Sequence, residues 1–300
     1  MSRVRTHVRE IFRLFKQTVD EWLDDRGFTR AASLSYYTVF SIAPLLLVAV
    51  AIAGIVFGRD AVSGQLEQEL KGLLGPTGAA AVQDMMKGAV NQGGGALASI
   101  VGLALVVVGA TGAFVELQDT LNDMWGVDKN KTSGILGFLR ARVLSLAMVL
   151  VIAFLLLVSL VVSTALSAIG AYAAHTLPGW RLVLQIVNLV FSFAVITFLF
   201  ATIYRFLPNT TVKWKNVWPG AALTSALFAV GKLLISLYLG KSSVASSYGA
   251  AGSFAVLLIW VNFSSMILYF GAEFTQVLSR SREGLPPLGA EKQAGKPAAS

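Results

Sequence analysis

The polar side chains that could do chemistry in this sequence lie within or at the ends of long apolar stretches. The richest row recurs at steps of three and four residues, which places it on one face of a helix: Asn262, Ser265, Tyr269, Glu273 and Gln276. Two neighbouring stretches carry shorter rows: Gln185, Asn188 and Ser192, and Ser225, Lys232 and Ser236. Because polar groups are costly in hydrocarbon and normally turn inward, these rows predict a polar interior or groove. The alternative is that they only hold helices together by hydrogen bonding.

Lys232 is the only charged residue inside an apolar stretch. It lies about eight residues, or roughly 12 Å of helix, from the outer end of that stretch. One interpretation is that its side chain extends to the membrane surface or pairs with a buried acid. The other is that it contacts an anionic head group or substrate.

Three acidic residues form a second cluster, Glu116, Asp119 and Asp123, at steps of three and four residues near the end of another apolar stretch. Acids at a helix C-terminus are opposed by the helix dipole, so basic partners are expected. The candidates are Arg26, Arg30, Arg140 and Arg205. We expect an ion-pair cluster at the membrane interface, with a proton-coupling role as the alternative.

Signatures of catalysis are scarce. The sequence has no cysteine and two histidines, His7 and His175, so it offers no thiolate or histidine-rich metal site. It also has no phosphate-binding loop and no nucleophile elbow. We therefore expect no catalytic residues, no bound metal, no cofactor and no enzymatic activity.

The elements that position these residues are predicted to be membrane-spanning helices. The chain is 55% hydrophobic and 13% charged, against about 25% charged in soluble domains. Six runs are long enough to cross a bilayer: 33–57, 96–115, 143–170, 182–204, 217–240 and 252–272. The expected fold is all-α and polytopic, with an N-terminal arm over residues 1–32, a six-helix domain over 33–279 and a disordered tail over 280–300.

The distribution of basic residues predicts the orientation. Eighteen of the 24 Lys and Arg residues fall in the N-terminal arm, the second and fourth connections and the tail. Because cytoplasmic flanks are enriched in Lys and Arg, both termini are expected in the cytoplasm.

Two stretches outside the spans also have helical patterns. Residues 4–23 predict an amphipathic helix that lies on the cytoplasmic membrane surface or packs on the loops of the bundle. In the 58–95 connection, a break at Gly75 and Pro76 separates two short predicted helices that would cap the outer end of the bundle.

Four segments together resemble the YihY/BrkB family of bacterial inner-membrane proteins: AASLSYYTVFSIAPLLL, ELQDTLNDMWGV, RFLPNTTVKWKNVWPGAALTSALFAVGKLLISLYLG and SSYGAAGSFAVLLIWVNFSSMILYFGAEFTQV. The resemblance covers roughly residues 10–280 and implies a six-helix protein of the bacterial inner membrane. Its motif positions here are Tyr36, Tyr37, Pro44, Asn122, Trp125, Arg205, Pro208, Pro219, Gly220, Lys232, Tyr248, Gly249, Gly252 and Glu273.

The resemblance also implies candidate functions, since members carry labels as a ribonuclease and a virulence factor and some look linked to lipid export. We expect lipid translocation or export through a groove that involves Lys232, Asn188, Asn262, Tyr269, Glu273 and Arg205. The expected partners are membrane lipids and an envelope protein, without nucleic acid; the oligomeric state is left open. The alternative is a non-transporting envelope-integrity or assembly protein. A ribonuclease is disfavoured because the acidic cluster is helix-bound at a membrane interface.

Overall fold

A computed structural model of the chain describes residues 2–90, 112–127, 180–241 and 250–289. These residues form helices joined by short turns and contain no strand, which confirms the all-α prediction for this part of the chain. The helices are α1 (Ser2–Asp24), α2 (Gly27–Phe57), α3 (Arg59–Val90), α4 (residues 112–124), α5 (Trp180–Phe206), α6 (Trp214–Lys241) and α7 (Ala250–Glu283).

Three of these helices contain segments long and apolar enough to cross a bilayer: Ile186–Phe206 in α5, Trp214–Ile235 in α6 and Phe254–Glu283 in α7. They correspond to the predicted spans 182–204, 217–240 and 252–272, which confirms a membrane protein. The predicted span 33–57 lies within α2. The predicted spans 96–115 and 143–170 lie outside the described residues, except for 112–115.

Helix α7 is the centre of the packing, because α1, α2, α3 and α6 all lie against it, while α5 packs on α6. The α5–α6 connection and the last turn of α7 lie at the same end of the bundle as α1, which we call the α1 end. The opposite end holds the turn between α2 and α3 and the start of α7. We call the half of the bundle nearest this turn the far half.

Helix α1 packs one stripe of its surface on α7. Leu14 and Trp22 are buried, and Leu14 contacts Val277 and Leu278 near the end of α7. Phe15 meets Phe270 edge to face, with 5.4 Å between ring centroids. The N-terminal helix was predicted either to lie on the membrane or to pack on the bundle. This stripe of α1 packs on the bundle.

The connection after α2 differs from its prediction. Instead of two short capping helices, the structure has one 32-residue helix, α3, with Pro76 inside it. Leu70 and Val82, on either side of the proline, are both buried in a cluster with Val39 of α2 and Leu257 of α7. Proline removes one helical hydrogen bond. Here the flanking contacts hold both sides in one helix, which runs alongside α2 rather than over the bundle end.

The boundary predicted at residue 280 also differs. Helix α7 continues to Glu283, because Arg282 donates hydrogen bonds to the Lys215 carbonyl at 2.7 Å and to the Asn216 side chain at 3.1 Å. Leu288 is then buried, and it lies close to Gly126. Residues 280–289 therefore belong to the folded part of the chain, and the predicted disorder concerns 290–300, outside the described residues.

Candidate functional site

A cavity of about 610 Å³ lies between α2, α6 and α7. Its walls are mostly apolar, and its lining residues are Ala32, Ser35, Leu234, Ile235, Leu258, Ile259, Asn262, Phe263 and Met266. The Ser35 hydroxyl already donates to the Ala32 carbonyl at 2.8 Å. Asn262 makes no hydrogen bond with another described residue. The cavity therefore combines apolar walls with one amide that has no hydrogen-bond partner in the described part of the chain.

The cavity lies beside the outer surface of α6. Leu234, one of its lining residues, is 58% exposed, and the adjacent Leu233 is 66% exposed. Both belong to a segment apolar enough to span a membrane. Exposed leucines in such a segment are suited to contact with acyl chains, and the cavity adjoins this exposed surface.

Below Asn262, toward the α1 end, the polar row of α7 is buried. Ser265, Tyr269, Glu273 and Gln276 are exposed by 4%, 0%, 1% and 2%. The helical spacing thus correctly placed these four side chains on an inward face. The row extends over 14 residues from Asn262, or about 21 Å of helix. Asn262 at one end of the row thus lines the cavity, whereas the other four polar side chains are buried and do not line it.

Two glycines and two threonines bring α6 and α7 into close contact in this interior. A Cβ atom at Gly220 of α6 would overlap the Thr275 hydroxyl of α7, and one at Gly271 of α7 would overlap the Thr224 hydroxyl of α6. Each threonine donates to the glycine carbonyl four residues earlier in its own helix, at 2.7 Å in both cases. Small residues allow such close approach between membrane helices. We call this reciprocal contact the Gly–Thr lock.

Tyr204 joins α5 to the same lock. Its hydroxyl donates to the Leu268 carbonyl at 2.7 Å, and its oxygen lies 3.0 Å from the Thr224 hydroxyl oxygen. The residue is fully buried. Tyr204 could not be singled out from the sequence, because its partners come from two other helices. Its only signal is a hydroxyl near the end of an apolar run.

Helix α4 holds the connection between α5 and α6. Gln118 donates to the Leu207 carbonyl at 2.9 Å, and the Asn122 side-chain oxygen accepts a bond from the Asn209 amide at 2.7 Å. Arg205 donates to the Val212 carbonyl across the same connection. In this arrangement the family-like positions Asn122 and Arg205 fix a turn of the backbone.

The acidic cluster has one of its predicted partners. Asp123 forms an ion pair with Arg30 at 2.7 Å, and the two side chains are 18% and 30% exposed. Arg205 is engaged by the backbone instead, and Arg140 lies outside the described residues. Glu116 is half-buried and Asp119 is exposed. The structure therefore supports an ion-pair role for Asp123.

Lys232 lies in the far half of α6, at the level of the far half of α5. The two helices are antiparallel, with ring centroids 5.9 Å apart for Phe206 and Trp214 and 6.0 Å apart for Phe200 and Phe228. This register places Lys232 opposite residues 188–196 of α5. Lys232 is half-buried and forms no ion pair with another described residue.

Near Lys232 the contact between α5 and α6 opens. Tyr204 and Phe200 are buried toward the α1 end, but Phe193, Val190 and Ile186, on the same face of α5, are 38%, 61% and 52% exposed. Asn188 is half-buried in the far half of α5. The face of α5 that packs at one end is thus exposed at the other.

The predicted groove residues therefore lie in separate places. Asn262 lines the cavity, whereas Tyr269 and Glu273 are buried below it. Lys232 lies in the far half of α6 and Asn188 in the far half of α5, while Arg205 is at the α1 end. The cavity lies between α2, α6 and α7. No residue of α5 lines it, because α6 separates α5 from most of α7. Among the described side chains, no three His, Asp or Glu residues are grouped to hold a metal.

Fold and composition together define a polytopic helical membrane protein. The family model for virulence factor BrkB matches residues 18–296, so the chain belongs to that family, as the sequence motifs indicated. No solved structure matches the chain.

Several curated relatives are named UPF0761 membrane protein. The one from Albidiferax ferrireducens is 28% identical over 271 residues, covering 89% of this chain and 62% of its own length. That from Verminephrobacter eiseniae is 29% identical, covering 85% and 59%, and that from Azotobacter vinelandii is 26% identical, covering 88% and 62%. The chain thus spans about three fifths of the length of these relatives.

Proposed function

We propose that this protein binds membrane lipid in the cavity between α2, α6 and α7 and takes part in moving lipid across or out of a bacterial inner membrane. The observation that carries the proposal is a cavity of about 610 Å³ that adjoins an exposed apolar surface of α6 and is lined by Asn262, which has no hydrogen-bond partner among the described residues. Ligand sites are commonly apolar pockets of about 300–1,000 Å³ with a few polar groups. An acyl chain would fit the walls, and an ester carbonyl would accept a bond from Asn262.

Lys232 supplies the charge that such a function needs. Lys232 is half-buried and lies opposite the exposed part of α5, where its ammonium could contact an anionic head group. Cations in spanning segments are rare and often mark substrate pathways. Under this proposal, α1 and both termini are cytoplasmic, and Lys232 serves the opposite leaflet.

The buried polar row would provide the next stage of the path. Tyr269, Glu273 and Gln276 are closed off by the Gly–Thr lock, so a head group could pass only if α6 and α7 separate. Transport through this row would therefore require a second, less populated conformation of the bundle. The protein itself would supply no covalent chemistry, and we propose no enzymatic, metal-dependent or RNA-cleaving activity.

Transbilayer movement of a fluorescent phospholipid in reconstituted vesicles tests this function. Ile259→Trp would fill the cavity and Lys232→Ala would remove the charge; both should slow movement toward the rate of empty vesicles. Leu285→Trp is the control, because Leu285 is 48% exposed after the end of α7 and lines no part of the cavity. Wild-type movement no faster than in empty vesicles would overturn the proposal, as would unchanged rates in both variants.

A non-transporting assembly protein is the second candidate, and the hydrogen bonding favours it. Many buried hydroxyls, including Ser265, Thr224 and Thr275, already donate to carbonyls of their own helices, as residues that only stabilise a bundle would. Purification from native membrane distinguishes the two. A stoichiometric envelope protein without enriched lipid would favour assembly, whereas a selectively retained lipid would favour transport.

A further inference from the structure

Helix α1 carries a second apolar stripe that the bundle does not cover. Its first stripe, Leu14, Thr18 and Trp22, is buried against the rest of the protein. The second stripe is rotated from the first by about 100° around the helix and consists of Phe12, Phe15, Val19 and Leu23. Phe12, Phe15 and Leu23 are 71%, 45% and 51% exposed.

Another large apolar side chain is exposed just past the end of α1. Phe28, at the start of α2, is 57% exposed, and its ring lies 4.6 Å from that of Trp22. A row of large apolar side chains therefore runs from Phe12 to Phe28 along the outside of the α1 end. Contiguous exposed apolar surface of this kind marks an interaction site.

Basic side chains border the stripe. Arg9, Arg13 and Lys16 are exposed on the neighbouring surface of α1. Their charges are opposed locally by Glu10 and Asp20, but basic residues dominate the N-terminal half of the helix. Aromatic and leucine residues on one face and Lys or Arg beside them are typical of helices that lie in the interface of an anionic membrane.

The attachment of α1 places this stripe at the level of a membrane surface. Its inner stripe and Phe15 contact Phe270, Phe274 and Val277 of α7, in the last part of the segment Phe254–Glu283 that is able to span a bilayer. A helix fixed to the end of a membrane span lies near the head groups. Because the inner stripe is occupied by α7, only the outer one is available for lipid.

We propose that α1 is an interfacial anchor: its outer stripe inserts among the acyl chains of an anionic leaflet, while Arg9, Arg13 and Lys16 contact lipid head groups. The two alternatives for the amphipathic N-terminal helix then both hold, each for one stripe. The site is separate from the cavity and from Lys232, so it does not depend on lipid transport.

Site-directed spin labelling of the full chain tests the anchor, and the absence of native cysteine makes single labels unambiguous. Labels would be placed by Phe12→Cys and Leu23→Cys on the outer stripe, with Asp20→Cys, exposed on the charged side of the same helix, as the matched control. The full chain is reconstituted in vesicles of equal parts phosphatidylcholine and phosphatidylglycerol. Accessibility to oxygen, which concentrates in lipid, is compared with accessibility to a water-soluble nickel chelate.

Labels at 12 and 23 are expected to have a several-fold higher oxygen-to-nickel ratio than the label at 20. Replacing Arg9, Arg13 and Lys16 by glutamine should reduce that difference in the anionic vesicles and leave it unchanged in phosphatidylcholine alone. Equal, water-like ratios at all three positions would overturn the proposal. So would labels at 12 and 23 that become shielded from both reagents as the protein-to-lipid ratio rises, since that result assigns the stripe to a second copy of the chain.

Discussion

The α1 end and the far half of this bundle are built from similar residues but packed in opposite ways. At the α1 end, the Gly–Thr lock, Tyr204 and the bonds from α4 join helices that are distant in sequence. In the far half, the same helices expose Val190 and Leu233 and enclose a cavity beside Asn262. Polar residues of α7 thus join helices at one level, whereas at another level Asn262 lines a cavity and has no hydrogen-bond partner among the described residues.

Gly271→Ala is the largest expected disruption of this difference. The new methyl group would overlap the Thr224 hydroxyl and lie 2.7 Å from the Tyr204 hydroxyl oxygen, in the middle of the lock. Overpacking of this kind typically costs about 1–3 kcal/mol. The free energy of unfolding, measured by SDS titration in mild detergent micelles with tryptophan fluorescence, should fall by that amount.

Gly64→Ala is the matched control for this substitution. Gly64 lies in α3 with no atom within 4 Å of a new Cβ, so alanine should leave stability unchanged or raise it slightly. Equal losses in Gly64→Ala and Gly271→Ala would show that the lock is not a tight contact.

Tyr204→Phe removes the hydroxyl that joins three helices and should have the next largest effect. The Leu268 carbonyl and the Thr224 hydroxyl each lose a buried contact, so the free energy of unfolding should fall by about 1–2 kcal/mol. The control is Tyr36→Phe, since Tyr36 is 59% exposed. If Tyr204→Phe and Tyr36→Phe both keep the wild-type free energy of unfolding, the hydroxyl of Tyr204 does not stabilise the α1 end.

The ion pair between Arg30 and Asp123 should contribute less, because both side chains are partly exposed. A double-mutant cycle with Arg30→Gln and Asp123→Asn is expected to give a coupling free energy of about 0.5–1 kcal/mol. The coupling should decrease as salt is raised. If the effects of the two substitutions are additive, the interaction between Arg30 and Asp123 does not stabilise the α1 end.

Asn262→Leu tests the far half and should have an even smaller effect on stability. Because Asn262 makes no hydrogen bond with another described residue, leucine of similar size should change the unfolding free energy by less than about 0.5 kcal/mol. Lipid retained through purification should decrease at the same time, as measured by mass spectrometry. A large loss of stability would mean that this amide is part of the packing.

The exposed pair of Glu67 and Lys71 on α3 should matter least. Their hydrogen bond, 2.5 Å long, and the charge of Lys71 lower the pKa of Glu67, so any contribution is present at neutral pH and lost as the pH falls through that lowered pKa. Because exposed ion pairs contribute little to stability, Lys71→Gln should leave the melting temperature unchanged at pH 7 and under acid alike. A pH-dependent shift would show that α3 depends on this pair.

The sequence could predict the parts of this arrangement that depend on one helix. Helical spacing placed Ser265, Tyr269, Glu273 and Gln276 on an inward face, and the helix dipole indicated a basic partner for Asp123. Apolar run length identified the three spans found in α5, α6 and α7. Each of these inferences needs only the period of a helix or the composition of a run.

The sequence could not predict contacts that depend on how helices pair. The spacing of glycine and threonine is visible at 220–224 and 271–275, but the lock exists only in the register that places Gly220 opposite Thr275. Likewise, the sequence predicted a break in α3 at Pro76. The helix continues through the proline because Leu70 and Val82 are buried against α2 and α7, and this burial depends on tertiary packing. The position of the cavity follows from the packing order, with α6 between α5 and most of α7.

Photocrosslinking with a phospholipid that carries a diazirine in its acyl chain tests the contrast between the two regions most directly. With the full chain in vesicles, we expect adducts on the peptide covering residues 257–266 and none on residues 268–277, which lie in the locked interior. Ile259→Trp should remove the cavity adducts and leave those on the exposed surface of α5. Equal labelling of both peptides, or cavity adducts that persist in Ile259→Trp, would contradict the account.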